Sequence, residues 1–590
     1  YMCGIAGIIS KSKNLPSFLN KLNLGIYHRG PDNKGFFIDK KKGFGLTMTR
    51  LSIIGLKEGN QPKIDKNKNI ILVFNGEIFN YKSLAKKYFP EEKIFSDTDI
   101  ILKLYIKLGK NFINHLNGMF SIAIIDKKIN KLLIYRDRFG IKPLYYAAIK
   151  NEFYFCSEIK PLSKIINGLS LNYSAISDYI SMGFIKNPLS IYSEINKLEP
   201  ATFLEICLKS RRIKKRKWYF LKLKPLNFFN KNEVYDLVEE QIKKSLKLWS
   251  VSDVPISLML SGGIDSSLLA SIHHQNSIND MVTYSNVFNK KKYDRWNEIS
   301  VIKDFNKKYK HDHNFYYFNE NKFKNKLKLI IDHLGEPFGG GLPSWFLLEE
   351  ISKKFKVVIT GIGGDELFGN YNRQFNYMKS CKNYYNYQNF NKHYFYNKLF
   401  LADLNFKKKY TNLTEQNIEN VSKPLYKIFI KNKSNYSLSK NLSLLDLNFD
   451  LTDDYLYLSD RFSMAHSLEL RTPYLDHELV ELVYSIPEKF RINKKIYKPI
   501  LRTIGKSYLP ESYFNQKKKG FSLPLSFLMR GELLPKIKEL LSKKNLEMYG
   551  IVKGNFFEDY VVPMINGSNK NIQLVWNIFI LHYWIKLNLN

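Results

Sequence analysis

Three groups of residues in this 590-residue chain could do chemistry: Cys3, the Asn75-Gly76 pair with its neighbours, and the Ser/Gly-rich turn Ser261-Gly-Gly-Ile-Asp-Ser-Ser267. A thiol at an amino terminus can use its own α-amine, of pKa about 8, as general base. Asn75 and Gly76 can offer a side-chain amide and a backbone N–H to an oxyanion. Arg50 can pair bidentately with a carboxylate, and Glu77 and Asp97 can hold an ammonium. Together they suit the carboxylate, amine and side-chain amide of glutamine. Taken singly, the same residues describe a buried structural cysteine and a hairpin turn at Asn75-Gly76.

The second chemistry is nucleotide binding. Ser261, Gly262, Gly263, Ser266 and Ser267 lie between an apolar run and a helical pattern, where backbone N–H groups and hydroxyls meet phosphates at a helix N-terminus. Asp265 can hold Mg²⁺ against those phosphates. The turn lacks the Gly-Lys-Ser/Thr ending of a Walker A loop.

The elements that must position these groups change character along the chain. Before Cys207, short β-type runs dominate: 70–74, 120–125, 131–135 and 152–155, with a helical pattern over 99–108. Asn75-Gly76 and Arg138-Phe-Gly140 read as turns between strands. This predicts an α+β sandwich over 3–207, and the basic stretch 208–231 reads as a linker. From 232 to 590 a helix over 234–248, strands at 254–260, 282–288 and 356–360, and intervening helices predict an α/β doubly wound parallel sheet. Its ligand belongs at the carboxyl ends of the strands. The part beyond about 442 reads as mostly helical, and the Asn/Lys-rich stretch 383–397 as a surface insertion.

Composition narrows the function classes. Hydrophobic residues make up 44% of the chain, which fits a folded protein and not a disordered one. No run approaches the roughly 18 apolar residues of a membrane span, and no signal peptide is expected. Four scattered cysteines without a CxxC pair argue against a disulfide framework or zinc site and for a reducing cytoplasm. The net charge of +38 raises a polyanion partner, but the lysines are dispersed. They read as a solvated surface from compositional bias, with no specific nucleic acid partner.

The motifs also carry a resemblance. Cys3-Gly-Ile-Ala-Gly7, His28-Arg-Gly-Pro-Asp32, Arg50-Leu-Ser-Ile-Ile54, Phe74-Asn-Gly-Glu-Ile-Phe-Asn-Tyr81, Ser96-Asp-Thr98 and Arg136-Asp-Arg-Phe-Gly140 resemble the class II glutamine amidotransferase domain of glutamine-hydrolysing asparagine synthetases. Ser261–Ser267 resembles the PP-loop of ATP pyrophosphatases. Glu336-Pro-Phe338, Gly361–Gly369, Asp460–Glu469, Arg471–Asp476 and Lys518-Lys-Gly-Phe521 extend the likeness over nearly the whole chain.

The resemblance implies an Ntn-hydrolase four-layer sandwich followed by a PP-loop domain, with a homodimer compatible. It implies a carbon–nitrogen ligase that hydrolyses glutamine, adenylates a carboxylate acceptor with ATP and Mg²⁺, and amidates it. Cys3 would be the nucleophile, with Asn75 and Gly76 as the oxyanion hole. Arg50, Asn75, Glu77 and Asp97 would bind glutamine. Met259, Val287, Thr360 and Gly361 would join the Ser261–Ser267 turn around ATP. Asp265 and Asp365 would bind Mg²⁺–pyrophosphate, and Lys518 would stabilise developing phosphate charge.

Departures from the family pattern touch the acceptor. Ile362 replaces an acidic residue, and Gly339-Gly-Gly341 replaces a polar segment, which reads as extra space. Aspartate is the first expectation for the acceptor and the carboxylate of a sugar acid the second. An RNA-modifying PP-loop enzyme is a more distant reading. A free amine on Cys3 also requires loss of Tyr1 and Met2; a chain that keeps both is expected to lack glutaminase activity.

Overall fold

Two six-stranded antiparallel sheets build the amino-terminal half of the computed structural model. The structure describes every residue except 1, 225, 228–229, 277–280, 289–292, 294–296, 370–371, 396–401, 420, 432, 435, 493–495, 516–523 and 590. The first sheet runs Ile195–Lys197, Tyr145–Ile149, Glu152–Cys156, Met2–Ile9, Phe44–Leu51, Asn33–Asp39. The second runs Ile213–Lys217, Thr202–Cys207, Lys131–Arg136, Gly118–Asp126, Ile70–Ile78, Lys63–Ile64.

Alternation along the first strand explains the layering. Cys3, Ile5 and Ile9 point into the core between the sheets, while Ala6 and Ile8 meet Leu15, Leu19 and Leu22 of the Leu15–Gly25 helix. The strands Phe44–Leu51 and Ile70–Ile78 are buried at every position, as strands covered on both faces must be. Helix Asp97–Leu108 lies beyond the second sheet, its start capped by Ser96 Oγ accepting from Asp99 N. The expected α+β four-layer sandwich is therefore present.

Two local readings change. Asn75-Gly76 is not a turn: it lies inside the strand Ile70–Ile78, opposite Ser121 and Phe120. Hydrophobic pairing on both sides overrides the turn chemistry of the dipeptide. The start of the 208–231 linker is also regular, because Ile213–Lys217 forms the edge strand paired with Thr202–Cys207.

The second half carries a five-stranded, wholly parallel sheet in the order Asp312–Tyr317, Val282–Val287, Ile256–Met259, Val357–Ile359, Glu469–Arg471. Chain order reverses at Ile256–Met259, so the switch point of this doubly wound sheet falls between that strand and Val357–Ile359. The outer strands Asp312–Tyr317 and Glu469–Arg471 were not legible as strands. The first opens on Asp312-His-Asn314 and has no buried residue, and the second is only three residues long.

Helices form the rest, ending in Ile572–Asn588, which is buried from Leu574 to His582 and again at Trp584 and Ile585. No helix among the described residues is long and apolar enough to cross a membrane. Of the expected surface insertion 383–397, the described residues 383–395 are tied into the core, since Phe390, Tyr394 and Phe395 are buried. Phe390 stacks on Phe429 at 5.2 Å. The polar neighbours in sequence hid an aromatic core.

Candidate active sites and the ion network between them

Cys3 enters the first sheet opposite Arg50, and its backbone N donates to Asn75 Oδ1 at 3.0 Å. Asn75 thus accepts from the nitrogen of Cys3 itself, and its Nδ2 is buried with no partner among the described residues. That leaves an amide donor aimed into the sandwich, as an oxyanion hole requires. Gly76 follows at φ +144°, where a Cβ would lie 1.9 Å from Met119 O, so only glycine fits.

Glu77 and Asp97 are fully buried nearby; Asp97 Oδ2 accepts from Ile78 N at 3.2 Å. Burial pushes the Asp97 carboxyl up to about 6. Burial likewise pushes the Cys3 thiol up to about 11, so at neutral pH it is a thiol that needs a base.

Arg50 is buried and oriented by the turn that follows it. Its guanidinium donates to Gly55 O at 2.7 Å, Leu56 O at 3.0 Å and Asn60 Oδ1 at 3.1 Å. The Arg136–Gly140 motif is structural. Asp137 accepts from the backbone N of Phe120, Phe139, Ile141 and Lys142, while Arg136 donates to Lys142 O and Gly140 O.

In the second half, Met259, Val287 and Thr360 stand at the carboxyl ends of three adjacent strands. Ser261 closes the loop on itself: its N donates to Ser266 Oγ at 3.1 Å, and the two hydroxyls are 2.9 Å apart. Helix Ile264–Gln275 starts after Gly263 with no side-chain cap, leaving its first N–H groups for a phosphate. A Cβ on Gly361 would lie 2.7 Å from Ser266 N, so this glycine lets the 360–366 turn rest on the loop. Ser267, expected to join the ATP loop, turns its hydroxyl elsewhere. Its hydroxyl is buried and donates to Tyr513 OH at 3.0 Å, facing the helix packing and not the loop.

The residue missed from sequence is Lys498. Its Nζ bonds Asp265 Oδ2 and lies 2.8 Å from Asp365 Oδ1, uniting the two expected metal ligands. It is buried, in the left-handed region at φ +51°. Burial works to lower its pKa, and the two carboxylates outweigh that and hold it above the ordinary lysine value. Tyr497 OH donates to Asp365 Oδ1 beside it. Nothing marks this lysine in a chain with so many; only the preceding Tyr and following Pro set it in a turn. Lys518 lies outside the described residues.

Two carboxylates converging on one cationic group, beside a helix N-terminus, supply the oxygen donors that Mg²⁺ prefers. Asp265 and Asp365 thus fit a metal that neutralises phosphate charge.

The Gly339–Gly341 segment corrects an expectation. A Cβ on Gly339 would meet Asn577 Oδ1 at 2.5 Å, and one on Gly341 would meet Leu458 Cδ2 at 2.0 Å. The glycines do not open space; neighbours fill it. Ile362 is half-buried against the core.

Between the two sites runs a buried ion network. Arg29 donates through Nε to Cys3 O at 3.2 Å and through both terminal nitrogens to Asp460 at 2.8 and 3.1 Å. Its NH1 also reaches Glu158 Oε1 at 2.9 Å, and Glu158 is paired with Arg461 as well. Despite burial, Arg461, His28 and Arg29 hold the Glu158 carboxyl well below the usual range. Glu336 joins Lys197 at 2.6 Å across the same interface.

Comparison with known proteins finds two family matches. The glutamine amidotransferase domain model matches residues 2–219 and the asparagine synthase model matches 237–586. Asparagine synthetase [glutamine-hydrolyzing] 1 of Bacillus subtilis (strain 168) is 27% identical over 628 residues, covering 100% of this chain and 97% of that protein. The B. subtilis asparagine synthetase [glutamine-hydrolyzing] 2 is 30% identical over 572 residues, 88% of this chain and 72% of the relative. A putative asparagine synthetase [glutamine-hydrolyzing] 2 of Methanocaldococcus jannaschii is 37% identical over 397 residues, 63% of this chain and 76% of the relative.

The two family matches together define a glutamine-dependent amidotransferase whose second domain is an ATP-using ligase. The chain belongs to the asparagine synthase family.

Proposed function

We propose that this enzyme hydrolyses glutamine at Cys3, adenylates the side-chain carboxylate of aspartate, and joins the released ammonia to it, giving asparagine, AMP and pyrophosphate. Support comes above all from the full-length likeness to a glutamine-hydrolysing asparagine synthetase.

The residues divide the work. With residues 1 and 2 removed, the Cys3 amine stays held at Asn75 Oδ1 and takes the thiol proton, while Asn75 Nδ2 and Gly76 N–H receive the oxyanion. Arg50, Glu77 and Asp97 orient glutamine. The Ser261–Ser266 loop and the helix N-terminus take the phosphates, and Lys498 balances charge as pyrophosphate leaves. Lys518 is assigned the same duty. When bound at Asp265 and Asp365, Mg²⁺ supplies further phosphate neutralisation. The ammonia formed at Cys3 would reach the acceptor across the Arg29 interface.

A sugar-acid acceptor is retained as the second reading for one reason. Ile362 offers no charge to the amine of aspartate. The test is pyrophosphate release with Mg-ATP and glutamine, on protein shown by intact mass to begin at Cys3. Aspartate-dependent release with asparagine formed supports the first reading. Release only with glucuronate or galacturonate replaces it with the second.

A further inference from the structure

Behind Lys498 lies a cavity of about 530 Å³ that shares no residue with the Ser261–Ser266 loop. Its lining carries Lys231, Lys489, Arg502 and Lys506, and no acidic side chain among the described residues. Tyr235, Phe490 and Phe514 supply aromatic surface between these cations. Arg502 sits over the Phe514 ring at 5.5 Å and donates to Phe514 O at 2.6 Å, so guanidinium and ring are fixed together. The volume lies within the range of small-molecule sites. Four cationic side chains with no acidic one among the described lining, beside flat apolar surface, match one ligand chemistry: an aromatic ring carrying phosphates.

We propose that this cavity is a second nucleotide site, distinct from the adenylation site, that takes a nucleoside polyphosphate. The base lies among Tyr235, Phe490 and Phe514, and the phosphates meet the lysines and Arg502. The site is coupled to catalysis by the chain itself. Tyr497 and Pro499 line the cavity, while Lys498 between them turns the other way onto Asp265 and Asp365. The helix Pro499–Gly505, which carries Arg502, begins directly after Lys498. A ligand that shifts this helix or Tyr497 therefore shifts the ammonium that the two carboxylates share.

The test is equilibrium dialysis of the full chain with radiolabelled ATP and Mg²⁺, with inorganic pyrophosphate as competitor. Wild type is expected to bind two equivalents of ATP. The double variant Lys489→Glu/Lys506→Glu should keep one and lose the other, or weaken it about tenfold or more. Both lysines are exposed, so an unchanged melting curve is expected. Tyr235→Ala should weaken the same equivalent without affecting the first.

A single equivalent in wild type, or a second one untouched by the charge reversals, overturns the site. Displacement of the second equivalent by pyrophosphate as readily as by ATP overturns the nucleoside assignment. With two equivalents bound, pyrophosphate release should depart from hyperbolic dependence on ATP. A plain hyperbola would remove the coupling to Lys498.

Discussion

Replacing Lys498 by methionine keeps the length of the side chain and removes its charge. In the structure that ammonium is buried and shared by Asp265 and Asp365, the second at 2.8 Å. Removing one partner of a buried ion pair costs about 3–5 kcal/mol, because the remaining charge is left uncompensated. Here two carboxylates remain, and uptake of a proton by one of them relieves part of the cost. The folded-state pKa of Lys498 is raised, so its contribution is full at neutral pH and is lost only as pH rises through that raised value. Lys498→Met should therefore lower the melting temperature at pH 7 without metal, and Mg²⁺ should recover part of the loss. Loss of one preorganised donor at developing negative charge slows a reaction by about 10²–10³-fold. Pyrophosphate release should fall by that factor, while glutamine hydrolysis at Cys3, in the other domain, stays near wild type. Release within about fivefold of wild type, or a parallel loss of glutaminase, would falsify the assignment.

Two further outcomes follow from the same geometry. Asp97 must be ionised to hold an ammonium, and burial raises its pKa to about 6. The KM for glutamine should therefore rise as pH falls through about 6, and Asp97→Asn, already weak, should lose that pH dependence. Gly341→Ala places a Cβ 2.0 Å from Leu458 Cδ2 at a backbone φ of +57°. Denaturant unfolding should show a loss of about 1–3 kcal/mol, whereas a glycine that merely opened space would accept the methyl group.

Legibility in the sequence followed how local the signal was. The apolar runs around Val73, Ile122 and Leu133 and the loop at Ser261 announce strand and turn within a few residues. Asn75-Gly76 misled because its turn chemistry is local, whereas its strand identity comes from Ser121 and Phe120, more than forty positions away. The three glycines at 339–341 looked like space because no sequence shows that Trp576, Asn577 and Leu458 arrive there. Lys498 was hidden for the same reason: its meaning is its distance to two aspartates, one of them 233 residues earlier. The motif around Arg29 was recognisable, but not the fact that it reaches across to Asp460.

That reach bears on how such an enzyme can be assembled and inherited. One guanidinium, wholly enclosed, grips the carbonyl of Cys3 with one edge and a carboxylate of the ligase half with the other. A glutaminase half excised at the boundary would carry Arg29 to a raw surface with part of its compensation gone. A ligase half alone would expose Asp460 and Arg461 in the same way. Neither half is a cassette to be exchanged for another ammonia source unless the replacement brings its own cation to meet Asp460. Descent should therefore keep the two halves on one chain and change the facing residues together.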